Sequence, residues 1–321
     1  MSTKSPNSIS FNSTLPPVRY DGKVAIVTGA GRGLGRSHAL SLAARGAAVV
    51  VNDLGTGRDG SNNESSLAEQ LANGIRLAGG RAIASSASVT DYEAVQEMVE
   101  LAMNEWGRVD ILVNNAGFLR DKSFSKMSVD DFRSIVDVHL MGAVHCSKAV
   151  WEIMKNQSYG RIVMTTSSSG LFGNFGQANY GAAKMALVGL MQTLALEGEK
   201  YGIRVNCLAP SAATRMTDDI LSPEDLALLT PESVTPGVLY LASEQAPTRT
   251  ILCAGAGAFA CSNITLTDGI FIGAGPFAVE AIKANEAKLF DREGEKVPST
   301  GFQQMSQEVK KARNAMAQGE S

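Results

Sequence analysis

The chain has 321 residues, 44% of them hydrophobic and 19% charged, with a net charge of −3. That length supports a large α/β domain with a sizeable core. The charge balance, with no long basic run and no spaced aromatics, excludes a nucleic-acid-binding face. The cysteines Cys146, Cys207, Cys253 and Cys261 form no Cys-x-x-Cys pair, and the three histidines add no ligand spacing. No metal site is therefore expected, and scattered thiols suit a reducing compartment better than a disulfide framework.

In chain order, residues 1–19 are rich in Ser, Asn and Pro and read as a flexible tail without the apolar core of a secretion signal. No apolar run is long enough to span a bilayer, and the final Gln-Gly-Glu-Ser is not a peroxisomal tripeptide. A cytoplasmic protein with no membrane partner is expected. From residue 20 to about 300, short apolar runs alternate with helix-period segments. Strands are expected at Val24–Gly29, Ala47–Asp53, Arg81–Ser85, Asp110–Gly117, Arg161–Ser168, Ile203–Pro210 and Thr250–Gly257, with Ile264–Gly273 competing for the last place. Helices are expected at Leu34–Arg45, Asp91–Trp106 and Ser128–Met154. Val- and Ile-rich strands alternating with helices predict a single doubly wound α/β domain around a seven-stranded parallel sheet. Residues 301–321 carry Met305, Val309, Ala312 and Met316 at helical spacing and read as a C-terminal helical tail.

The first strand runs into Thr28-Gly-x-x-x-Gly-x-Gly35, a glycine-rich turn opening a helix. Such a turn aims backbone N–H groups and a helix N-terminus at a pyrophosphate. The second strand ends at Asp53, whose carboxylate suits ribose hydroxyls and repels a 2′-phosphate, favouring NAD over NADP. Arg32, inside the turn, argues the other way. Asn114-Asn115-Ala116-Gly117 closes the fourth strand at the edge where ligands bind. Tyr180 and Lys184 stand four apart and share a helix face, so an ammonium lies near a phenol of ordinary pKa ~10 and favours its phenolate. Such a pair suits proton exchange with a carbonyl or alcohol, given a second donor to the oxygen. Alternation puts Ser167 and Ser169 on one side of an extended segment and leaves both open.

Taken together and in this order, the glycine turn, Asn114-Asn-Ala-Gly117, the serine, Tyr180-x-x-x-Lys184 and Asn206-x-x-x-Pro210 resemble the short-chain dehydrogenase/reductase family over about residues 20–260. Longer stretches, among them Asn114–Phe124, Tyr159–Lys184 and Arg215–Thr217, resemble its (3R)-hydroxyacyl-CoA dehydrogenase units of peroxisomal multifunctional β-oxidation enzymes and bacterial stand-alone relatives. The resemblance implies a Rossmann-type fold, a homodimer or homotetramer, an acyl-CoA substrate and NAD. It selects Ser167, which lies 13 residues before Tyr180, and gives Ser167, Tyr180 and Lys184 as catalytic. It places the cofactor against Gly29, Arg32, Gly33, Leu34, Gly35, Asp53, Ser88, Val89, Asn115, Ala116 and Gly117, with Tyr180 and Lys184 at the nicotinamide end.

Three positions depart from the family pattern. His139 stands where an asparagine is usual and is a candidate relay residue. Ser88 replaces an adenine-binding Asp, and Ser211 follows Pro210 in place of Gly. The implied reaction is NAD-dependent oxidation of a (3R)-hydroxyacyl-CoA. The alternatives are a hydroxysteroid dehydrogenase, an NADPH-dependent 3-oxoacyl carrier-protein reductase or, in another class, a non-catalytic nucleotide-binding regulator. Chain length and any steroid preference are expected to depend on residues 211–236 and on the region after Cys261.

Overall fold

A computed structural model describes residues 16–55, 66–212 and 222–318. The expected substrate-loop segment 213–221, with Arg215–Thr217, and residues 1–15 of the expected tail lie outside the described residues. The chain divides into two compact units, residues 1–261 and 262–321.

Among the described residues there are eight strands: β1 (Val24–Thr28), β2 (Ala48–Asn52), β3 (Arg81–Ser85), β4 (Ile111–Asn114), β5 (Gly160–Thr165), β6 (Ile203–Ser211), β7 (Ile251–Gly255) and β8 (Ala258–Ser262). They form one sheet in the order β3-β2-β1-β4-β5-β6-β7-β8, with parallel pairing from β3 through β7. The expected doubly wound class holds, but the sheet has eight strands rather than seven. The run expected as one strand to Gly257 stops at Gly255 and turns back through Ala256 (φ 50°) and Gly257 (φ 75°). Positive φ at both turn residues belongs to a tight hairpin, which makes β8 an antiparallel edge. The competing run Ile264–Gly273 forms no named strand and contributes a single antiparallel bridge, Leu266 to Lys296.

The helices of the first unit are α1 (Gly33–Ala44), α2 (Ser66–Leu77), α3 (Tyr92–Trp106), α4 (Val129–Val136), α5 (Gly142–Gln157), α6 (Ser168–Phe172), α7 (Ala178–Gly198), α8 (Pro223–Leu228) and α9 (Pro231–Ala242). Residues of β1, β2, β4 and β5 are buried on both faces, as a sheet covered by helices requires. Ala25, Val27, Val49 and Val51 pack with apolar residues of α1, α2 and α9. Their alternates Val24, Ile26, Ala48 and Val50 pack with those of α3, α5 and α7. The helix expected over Ser128–Met154 is interrupted by a π turn at Asp137–Met141 between α4 and α5. The second unit contains α10 (Ala278–Ala284), α11 (Glu286–Leu289) and α12 (Phe302–Ala317). Gln307 on α12 donates to the carbonyls of Thr267 and Asp268, and Lys311 pairs with the Asp268 carboxylate at 3.0 Å.

Strand order reverses between β1 and β4, so a crevice opens beyond their carboxyl ends. Among the described residues no helix is long and apolar enough to cross a membrane.

Candidate active site

The glycine turn leaves β1 at Thr28 and enters α1 at Gly33, with φ of +63° at Gly29 and +52° at Gly33. A side chain at Gly35 has no room: its Cβ would overlap the Gly29 carbonyl oxygen and lie 2.6 Å from Asn115 Nδ2. Backbone packed this closely leaves a cradle lined by main-chain N–H groups at a helix N-terminus, which fits a dinucleotide pyrophosphate. Thr28 is the hub that aligns it. Its Oγ1 donates to the Val113 carbonyl and accepts from the backbone N–H groups of Asn115 and Ala116 at 3.0 and 3.1 Å. Asn115 Nδ2 donates to the carbonyls of Thr28 and Gly29. The amide expected to wall a nucleotide pocket thus also pins the turn to β4.

Asp53 follows β2. Its Oδ2 accepts from the Gly31 N–H and its Oδ1 from the Gly55 N–H, each at 2.7 Å. The Ser88 hydroxyl is engaged with Thr90 Oγ1 at 2.8 Å, and Val89 is buried. Every residue expected on the cofactor side, from Gly29, Arg32, Gly33, Leu34 and Gly35 through Asp53, Ser88 and Val89 to Asn115, Ala116 and Gly117, lines one cavity of about 480 Å³. Tyr180, Lys184, His139 and Phe118 border the same cavity; Ser167 does not.

At the other end of the crevice, β5 stops at Thr165 and Ser167 caps α6, its Oγ accepting from the Ser169 N–H at 3.2 Å. Because the chain turns helical at Ser168, the alternation expected for an extended segment does not hold. Ser168 is exposed, and Ser169 donates its hydroxyl to Gln177 Oε1, while Gln177 Nε2 donates to Asp121. Ser167 is buried, and its side chain lies close enough to the Tyr180 phenol to lower its pKa.

Tyr180 and Lys184 lie one turn apart near the start of α7, with Lys184 Nζ 5.5 Å from the phenol ring centroid. Lys184 Nζ donates to the Thr165 carbonyl at 2.6 Å, and Thr166 Oγ1 donates to the Lys184 carbonyl, so β5 and α7 are tied at the site. Burial pulls the lysine down from 10.5 to about 7. The phenol behaves differently from the sequence expectation. Burial raises its pKa above 10, and the Ser167 side chain works against that rise.

Sequence reasoning missed the π turn, which widens the helix at His139 and turns its ring inward. His139 Nε2 donates to the Phe118 carbonyl at 2.8 Å, which leaves Nδ1 a buried acceptor with no partner among the described residues. The ring meets Tyr180 edge-on at 5.2 Å. A Cβ at Gly117 would overlap it, so the glycine of Asn-Asn-Ala-Gly makes room for this histidine. Burial and the Lys184 charge hold His139 well below its ordinary 6.5, so it stays neutral.

The short chain dehydrogenase family matches residues 23–225. A short-chain type dehydrogenase/reductase of Mycobacterium tuberculosis is 48% identical over 276 residues, covering 86% of this chain and 96% of that protein. Peroxisomal multifunctional enzyme type 2 of Mus musculus is 52% identical over 229 residues, covering 71% of this chain and 31% of that protein. The solved full-length peroxisomal multifunctional enzyme type 2 of Drosophila melanogaster superposes with a TM-score of 0.75 at 35% identity, covering 94% of this chain and 50% of that one. The chain thus spans half or less of these multifunctional relatives. With the glycine cradle, the strand reversal and the Tyr180–Lys184 pair at one crevice, this chain belongs to the short-chain dehydrogenase family and is an NAD(P)-dependent oxidoreductase acting on a CH–OH group.

Proposed function

We propose that this enzyme oxidises the 3-hydroxyl of a (3R)-hydroxyacyl-CoA to the ketone with NAD, and that it works as a homodimer or homotetramer. The observation that carries the reading is that Tyr180 and Lys184, one helical turn apart, border the glycine-lined cavity. The substrate class rests on the resemblance to hydroxyacyl-CoA dehydrogenase units, and the preference for NAD on Asp53.

The dinucleotide, when bound, supplies the hydride acceptor. Ser167 Oγ donates to the substrate oxygen and orients it. With its own proton first lost to solvent, Tyr180 Oη takes the hydroxyl proton as the phenolate while the carbon–hydrogen bond breaks. Lys184, held by the Thr165 carbonyl, binds the ribose hydroxyls, and Ser167 opposes the upward push that burial gives the phenol. Closely packed backbone around Gly29, Gly35 and Asn115 fixes the cofactor's position, and that positioning is the protein's main contribution to rate.

The test is turnover of the R and S epimers of 3-hydroxyacyl-CoA, from short chains to a steroid side chain, with NAD and NADP separately. Oxidation of the R epimer with NAD is expected. Preference for the S epimer or for a free hydroxysteroid overturns the substrate assignment, and equal efficiency with NADP overturns the role given to Asp53. Light scattering checks the assembly.

A further inference from the structure

Gly31 is the one glycine of the turn outside the Gly29–Gly33–Gly35 spacing, and its φ is not in the left-handed region. Backbone conformation therefore does not call for glycine there. What does is proximity. A Cβ at Gly31 would lie 2.8 Å from Asp53 Oδ2, 2.9 Å from Asp53 Cγ and 3.0 Å from Leu67 Cβ. The bare Gly31 N–H instead reaches Asp53 Oδ2 at 2.7 Å, while Oδ1 takes the Gly55 N–H. Both carboxylate oxygens are thus fixed by backbone from two sides. Asp53 and Gly33 line the same cavity.

We propose that Gly31 is a positioning residue that sets cofactor choice through Asp53: it holds the carboxylate at the edge of the glycine turn, where it faces the adenosine ribose. A carboxylate has about four acceptor sites. Two are used by the backbone, which leaves the others aimed by that clamp for the ribose hydroxyls. A 2′-phosphate arriving there meets a charge that cannot swing away without giving up both backbone bonds. Of the atoms a Gly31 side chain would strike, the carboxylate is the one that moves easily. A methyl group at Gly31 therefore displaces Asp53 and spares the fold. This inference rests on the reading that Asp53 faces the ribose.

The test is binding of NADH and NADPH to the purified enzyme without substrate, followed by nicotinamide fluorescence, for wild type, Gly31→Ala, Asp53→Asn and the double variant. Gly31→Ala is expected to weaken NADH about tenfold or more, the range of a lost charge-assisted contact, and NADPH by less, so the NADH preference falls. In the double variant Gly31→Ala is expected to add little to Asp53→Asn, because the two act through one contact. Equal weakening of both cofactors by Gly31→Ala, or additivity of the two substitutions, overturns the proposal. An Asp53→Asn variant with unchanged preference instead overturns the ribose reading beneath it. Hydrogen exchange at the Gly31 amide gives a readout in the unsubstituted protein: protection is expected, and rapid exchange overturns the clamp even where Gly31→Ala fails to fold.

Discussion

Tyr180 stands between opposing influences: burial holds its proton on, and the Ser167 hydroxyl favours its loss. Tyr180→Phe removes the proton acceptor and leaves the ring, so kcat should fall about 10²–10⁴-fold while NADH binding holds, read by steady-state kinetics and nicotinamide fluorescence. Unchanged turnover would sink the assigned mechanism. Lys184 gives a pH signature. Its folded pKa of about 7 lies below its ordinary 10.5, so between these values the unfolded chain binds the extra proton and stability rises with pH. His38, pulled from 6.5 to about 3 by burial, acts in the same direction between those values. Cys146 and Cys207, pushed from 9.0 to about 12, act in the opposite direction above pH 9. Urea unfolding of the cofactor-free protein should therefore show stability climbing from pH 7 to 9. Lys184→Met should flatten that slope; an undiminished slope in the variant would refute the assignment to Lys184.

At the scale of elements, the central strands were readable because runs such as β1 and β2 are continuous, Val-rich and buried on both faces. β3 occupies the expected residues, and β1, β2, β5 and β6 agree within a residue or two at most ends. β8 was missed because its turn uses Ala-Gly, without the Asn-Gly or Asp-Gly pair that signals a tight hairpin. Ala256 sits at φ 50°, where an L side chain costs about 1–2 kcal/mol. Ala256→Gly should relieve most of that strain and raise stability by about 0.5–1 kcal/mol after glycine's own entropy cost, visible as a higher urea midpoint. A lower midpoint would mean the hairpin is unstrained. The π turn was invisible for a different reason. Residues 128–154 keep a helical apolar period, and one residue inserted into the hydrogen-bond ladder leaves that period nearly unchanged.

At the scale of the molecule, the site joins the end of β1, β2, β4 and β5 to the first turns of α1 and α7. Binding and folding are therefore linked. NADH at about one hundred times its dissociation constant should add about 2.7 kcal/mol to unfolding, and NADPH at the same concentration less. Thermal denaturation with each cofactor measures this, and equal shifts would contradict the preference assigned to Asp53. Gly35→Ala should abolish both shifts, because its Cβ has no space beside the Gly29 carbonyl and Asn115.

Sequence alone determined the alternating α/β pattern, the glycine turn, the acidic end of β2 and the Tyr180–Lys184 face. All of these depend on residue type and local spacing, which the chain carries openly. Tertiary structure decided what depends on distant segments meeting. It engaged Ser169 with Gln177, itself bonded to Asp121, and buried Ser167. It raised the pKa of Tyr180, where spacing to a lysine pointed downward, because burial is a property of the packed whole. It also brought Gly31 to Asp53 across 22 residues, a contact that no local pattern announces.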